Sequence, residues 1–163
     1  MNNKKKVIIY TDGACLNNPG PGGIGIVLTY GDNIREISHG YRKTTNNRME
    51  LLAVIEALSA LKTDGLDIII VSDSSYVVDA VNKGWIFQWE QINFKKKKNP
   101  DLWIRFLELF RKQKVVFRWI EGHSGHPENE RCDYLAKNAA RNPVDIDPGY
   151  ENMNKFDLNL FNG

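Results

Sequence analysis

Val7-Ile8-Ile9-Tyr10-Thr11-Asp12-Gly13 is an apolar, β-branched run that breaks off at a carboxylate. Val7 to Thr11 has the composition of a strand. A turn-rich stretch follows, Leu16-Asn17-Asn18-Pro19-Gly20-Pro21-Gly22-Gly23. Residues 24–30 and 34–41 read as two more strands, joined by Gly31-Asp32-Asn33, a tight hairpin signal. The chain therefore opens as a three-strand antiparallel meander.

Working outward, Asn46 or Asn47 caps a helix running to about residue 62, with Met49, Leu52, Ala53, Ile55, Leu58 and Leu61 on its apolar face. Residues 66–72 are almost continuously apolar, as in a strand covered on both faces. Short helical segments are expected near 74–82 and 85–91. Asn99-Pro100 opens a helix carrying Trp103, Phe106, Leu107 and Phe110 at helical spacing. Residues 115–120 form a fifth strand, and Pro127 starts a last helix that stops before Asn142-Pro143. The order βββαβαααβα predicts an α/β fold: a mixed five-stranded sheet, the antiparallel meander plus two further strands, with helices packed on it.

At 163 residues the chain fits one domain, and a domain of this size buries about two thirds of its unfolded surface. Its hydrophobic (42%) and charged (26%) fractions are ordinary for a globular protein. The only cysteines, Cys15 and Cys132, lack metal-ligand spacing and suit a reducing compartment. The basic start, Met1 to Lys6, precedes an apolar run too short for a signal peptide, and no stretch approaches membrane-spanning length; a cytoplasmic protein is expected. Nothing in the sequence demands a dimer, so a monomer is expected. The net charge of +2 is unevenly spread: between Lys83 and Arg118 ten basic residues face three acids, so that segment carries +7 and the remainder −5. A basic arm and an acidic centre on one molecule follow from that asymmetry.

Four carboxylates stand at informative places. Asp12 follows a strand, Glu50 lies in the first turn of a helix, Asp73 follows a buried strand, and Asp133 lies in the final helix. Each has an ordinary structural reading as well. Asp12-Gly13 is a turn pair, Glu50 completes a capping box three residues after Asn47, Asp73 is an N-cap, and Asp133 pairs with Lys137. In an α/β sheet, however, strand ends converge on a crevice, and four acids gathered there would repel one another. A hard divalent cation removes that repulsion, and Mg²⁺ completes its shell with waters and phosphate oxygens. Two such ions can activate a water and stabilise a departing oxygen in phosphodiester hydrolysis.

The motifs carrying these residues resemble the type 1 ribonucleases H. They are Tyr10-Thr11-Asp12-Gly13-Ala14-Cys15, Asn18 to Gly23, Thr44-Thr45-Asn46-Asn47-Arg48-Met49-Glu50-Leu51, Ser72-Asp73-Ser74, Asp101-Leu102-Trp103, and Gly122-His123-Ser124-Gly125-His126-Pro127 through Asp133. The resemblance runs in order over roughly residues 7–150. It implies a ribonuclease H-like catalytic domain over 1–150; the polar composition of 151–163, with few apolar residues, separately predicts a loosely held tail there. The resemblance further implies an endonuclease that hydrolyses the RNA strand of RNA–DNA hybrids by two metal ions, leaving 5′-phosphate and 3′-hydroxyl ends. Asp12, Glu50, Asp73 and Asp133 match the metal-binding carboxylates, for Mg²⁺ with Mn²⁺ as an alternative. His123 matches the catalytic-loop histidine that assists proton transfer or product departure. Cys15, Asn18, Asn46 and Asn47 match positions lining the hybrid's minor groove, where the 2′-hydroxyl marks RNA. Thr45 matches a contact to a DNA-strand phosphate.

Lys95-Lys96-Lys97-Lys98, flanked by Trp85, Trp89 and Phe94, resembles the family's basic handle for the DNA strand, shortened here. The alternatives are a solvated charge run and three core aromatics. Where the family often carries Gln two residues after the third carboxylate, this chain has Ser75. Two rival classes remain. Another nuclease or strand transferase on the same sheet would lack the segment from Gly122 to Asp133. A non-catalytic binding module would have lost a carboxylate, and all four are present.

Overall fold

The computed structural model describes residues 5–152. The element order is β1 (Val7–Cys15), β2 (Gly20–Tyr30), β3 (Asn33–Thr44), α1 (Asn46–Ser59), β4 (Asp67–Ser72), α2 (Ser75–Asn82), α3 (Trp85–Gln91), α4 (Pro100–Phe110), β5 (Lys114–Trp119) and α5 (Pro127–Arg141). The strands form one sheet in the order β3-β2-β1-β4-β5. β1 and β2 pair antiparallel, as do β2 and β3, whereas β4 lies parallel to both β1 and β5. The mixed five-stranded sheet read from the sequence is the one found.

Several boundaries differ for physical reasons. β1 runs past Thr11 to Cys15, so Asp12-Gly13 is paired strand and not a turn; Asp12 faces Gly25 and Gly13 faces Ile24. Gly20 to Gly23, assigned to a loop by their glycine and proline content, are the start of β2. The cap of α1 is Thr45, whose Oγ1 accepts from Arg48 N at 3.3 Å, and not Asn46 or Asn47. The cap of α2 is Ser74, whose Oγ accepts from Val77 N, which frees Asp73 from that duty.

One hydrophobic core lies between the sheet and α1, α2 and α4. Ile9, Ile24, Ile26, Ile68 and Ile70 from the strands meet Met49, Ala53, Ile55, Trp103 and Phe106, all buried. Trp103 packs edge-on to Phe106 with ring centroids 5.6 Å apart, and its indole donates to Tyr76 Oη at 3.0 Å. The other face of β1, β2 and β3 carries α5. Gly23, Gly25 and Gly40 turn toward that helix, and a Cβ on any of them would collide with the carbonyl of Ala136, Cys132 or Ala139 respectively. Gly23 and Gly40 are cross-strand partners, so the stripe is continuous. The helix lies on backbone, closer than any side chain would permit.

After α5 the chain returns along β3, where Arg42 N donates to Asp145 O at 2.9 Å. A last helical turn over 148–152 crosses the boundary expected at 150, and from residue 153 the anticipated tail lies outside the described residues. Arg48 of α1, 1% exposed, ties this segment down. Its Nε and Nη2 donate to Asp147 at 2.7 and 2.9 Å, and its Nη1 and Nη2 donate to Asp101 of α4 at 2.9 and 2.7 Å.

Candidate active site

β1, the start of α1 and the end of β4 deliver three carboxylates to one place. One oxygen from each of Asp12, Glu50 and Asp73 lies within 4.8 Å of the other two. Gly13 makes the approach possible, because a side chain there would strike the backbone of Met49 and Glu50. Its amide donates to Asp12 Oδ1 at 2.9 Å and to Glu50 Oε2 at 3.2 Å, orienting both. Glu50 is thus engaged by β1 and does not serve a capping box. Asp133 comes from α5. It stands outside the three-way group, yet its charge acts on Asp12 from close by. Its Oδ2 also takes the Lys137 ammonium at 3.0 Å, so the helical pair read from the sequence forms as well.

The electrostatics follow from burial and crowding. Asp12 is 5% exposed, and its carboxyl is pushed up to about 8, first by burial and then by the charges of Asp73 and Asp133. Glu50, also buried, is raised well above the carboxylate range by burial, then by Asp12 and Asp73. Without a counter-charge, burial and crowding favour the protonated forms of Asp12 and Glu50. Its donors are all carboxylate oxygens, with no nitrogen or sulfur ligand in the group, which is the donor set a hard divalent cation takes. The residues fit Mg²⁺ or Mn²⁺ on that ground.

His123 lies in the loop between β5 and α5, exposed and in a left-handed backbone conformation (φ 57°). The preceding Gly122 brings that loop against Asp73: a Cβ there would sit 2.9 Å from Asp73 Oδ2. On the neighbouring strand end, Trp119 donates its indole N–H to the Asp73 carbonyl at 3.1 Å and is itself 54% exposed. The sequence reading missed this contact, since nothing in the spacing relates Trp119 to Asp73.

At the start of α1, the helix that carries Glu50, a groove of about 550 Å³ gathers Asn18, Thr45, Asn46, Asn47, Lys97 and Lys98. Asn18 Oδ1 accepts from Asn46 N at 3.0 Å, which fixes the β1–β2 turn to the start of α1. Cys15 does not line the groove; its thiol donates to the carbonyls of Thr44 (3.4 Å) and Gly20 (3.5 Å), and both cysteines are free. Of the lysine run, Lys97 and Lys98 reach the groove, while Lys95 and Lys96 stand apart from its lining. The aromatics divide in the same way. Phe94 is buried, Trp89 packs on the core with Lys97 Nζ 5.4 Å from its ring centre, and Trp85 is 40% exposed. Ser75 begins α2, one residue past the cap, and is exposed.

The sequence profile of the RNase H family matches residues 4–141. A ribonuclease H of Syntrophus aciditrophicus is 54% identical over 153 residues, covering 90% of this chain and 88% of that protein. Among solved structures, LC9-RNase H1, a type 1 RNase H with the type 2 active-site motif, superposes with a TM-score of 0.78 at 33% identity over 94% of this chain and 82% of its own. LC11-RNase H1, solved in complex with an RNA/DNA hybrid, superposes with a TM-score of 0.65 at 30% identity over 84% of this chain and 98% of its own.

Proposed function

From the premise that this chain belongs to the RNase H family, as the matched profile and its relatives establish, we propose that it hydrolyses the RNA strand of RNA–DNA hybrids at Asp12, Glu50, Asp73 and Asp133 with two Mg²⁺. The observation that carries the reading is the convergence of three buried or half-buried carboxylates within 4.8 Å, bordered by a fourth. When bound, the ions supply charge neutralisation, a more acidic water and stabilisation of the departing 3′-oxygen.

The protein's own part begins with geometry. The Gly13 amide holds one oxygen of Asp12 and one of Glu50, which sets the two carboxylates side by side. Because the Asp12 carboxyl is held up to about 8, cation binding displaces a proton, and occupancy improves as pH rises. His123 follows Gly122 on the loop that abuts Asp73, and its part in this reading is to assist proton transfer or product departure. Asn18, Asn46 and Asn47 offer amide groups to the 2′-hydroxyl side of the hybrid, with Cys15 beneath them. Thr45, Lys97 and Lys98 take backbone phosphates, and Lys95 and Lys96 contribute long-range attraction.

Among the described residues no helix is long and apolar enough to cross a membrane. A cytoplasmic monomer is part of the proposal, checked by fractionation and size-exclusion chromatography. The reaction is tested by offering matched hybrid, single-stranded RNA, duplex RNA and duplex DNA, with Mg²⁺, Mn²⁺ or EDTA. Metal-dependent cutting confined to the hybrid, with 5′-phosphate products, is the expected result. Comparable cutting of duplex RNA would reject the substrate assignment.

A further inference from the structure

We propose that Tyr150, on the helical turn after the family-matched region, is a substrate-positioning residue whose hydroxyl donates to a backbone phosphate of the bound hybrid. The inference rests on the hybrid reading above. Tyr150 lines the same groove of about 550 Å³ as Asn46, Asn47, Lys97 and Lys98. The residues lining that groove include no carboxylate, two ammonium groups and several neutral donors, a composition that selects an anionic ligand. A phosphodiester fits, since phosphates accept from lysine, asparagine, threonine and tyrosine alike. The phenol adds a donor to that set. Its hydroxyl makes no hydrogen bond with another described residue, although the ring is half-buried.

What distinguishes Tyr150 from an exposed aromatic is how firmly its backbone is held. Asp147 is 3% exposed and clamped by Arg48 and by Thr44 Oγ1 at 2.7 Å. Asp147 in turn accepts from Tyr150 N at 3.4 Å through its side chain, and from Glu151 N at 3.0 Å through its carbonyl. Glu151 accepts a two-pronged bond from Arg42 Nε at 3.0 and 3.1 Å. Arg48 belongs to the helix that presents Asn46 and Asn47, so one guanidinium sets both walls of the groove in register. The family profile ends at residue 141, and this wall is built by the segment that follows it.

The test is binding of a labelled RNA–DNA hybrid in EDTA, read by fluorescence anisotropy for the wild type and Tyr150→Phe. Phenylalanine keeps the ring and its packing and removes only the donor. The expected dissociation constant for Tyr150→Phe is about tenfold higher, the scale of one hydrogen bond to a charged acceptor. Neutral methylphosphonate linkages placed one at a time along each strand then locate the partner. At one position the wild type weakens to the level of Tyr150→Phe while the variant weakens no further, and the strand carrying that position is the one Tyr150 holds. Wild-type affinity in Tyr150→Phe, or a penalty unchanged at every methylphosphonate position, overturns the proposal. A wild-type chain that binds hybrid but fails to cut it in Mg²⁺ counts against the proposed reaction alone, because Tyr150 is judged by binding.

Discussion

At Asp12, burial and the neighbouring charges of Asp73 and Asp133 all push the carboxyl toward its protonated form. A folded-state pKa of about 8, above the ordinary value of 3.8, makes the metal-free protein lose stability as pH rises from about 4 to 8, where charging is increasingly opposed. Asp12→Asn lacks that opposition. Thermal melts in EDTA are expected to show the variant more stable than the wild type at pH 8, the gap closing below pH 4, while hybrid cleavage in Mg²⁺ falls by several orders of magnitude. Near-wild-type cleavage by the variant would remove Asp12 from the site. His123 acts on a proton, so His123→Ala is expected to lower kcat about tenfold or more with little change in KM. At this scale the four carboxylates were legible because each follows a recognisable strand or helix signal. Three of the ordinary readings failed, since Ser74 caps α2, Thr45 caps α1 and Gly13 extends β1, whereas the Asp133–Lys137 pair forms. The Trp119–Asp73 contact was not legible, because it joins the ends of two strands 46 residues apart that only the parallel register aligns.

Between elements, the decisive contact is α5 against the glycine stripe. A methyl group at Gly25 would meet the Cys132 carbonyl, beside the residue that contributes Asp133 and directly across from Asp12. Gly25→Ala is expected to cost about 1–3 kcal/mol in urea denaturation, as overpacking does, and to depress cleavage further than the stability loss explains. A variant that melts and cuts like the wild type would show that the helix has slack. Glycine and proline density made Gly20 to Gly23 read as loop, and no local signal separates a turn glycine from one, such as Gly23, required by a helix docked on it. The lysine run is a second case. All four lysines are equivalent as a charge run, but only the fold brings Lys97 and Lys98 to the groove. Replacing those two by Ala is expected to raise KM and flatten the log–log salt slope by about 1.8, if each meets one phosphate. The Lys95/Lys96 double variant is expected to change the slope much less, and equal slopes would mean the groove does not discriminate.

For the molecule as a whole, Arg48 joins α1, α4 and the returning C-terminal segment through Asp101 and Asp147. Arg48→Met leaves Asp147 buried without its cation and is expected to cost about 3–5 kcal/mol in chemical denaturation. Asp101, although burial opposes it, is held below its ordinary pKa by Arg48. Its contribution is therefore complete above the ordinary carboxylate value and is lost as pH falls through the depressed one, so the wild type is expected to shed more stability on acidification than Arg48→Met does. The fold class and the opening meander could be read from the alternation of elements, since that alternation limits how a sheet can be assembled. A buried arginine could not, because charge in a sequence carries no mark of depth. The position of β1 has one more consequence. The strand that carries Asp12 sits in the middle of the sheet, and the fourth carboxylate arrives on α5, laid over β1, β2 and β3, which precede it by about a hundred residues. On the ribosome the acidic centre therefore stays incomplete until α5 has been made, so the four-carboxylate site forms only after the chain through Arg141 has emerged.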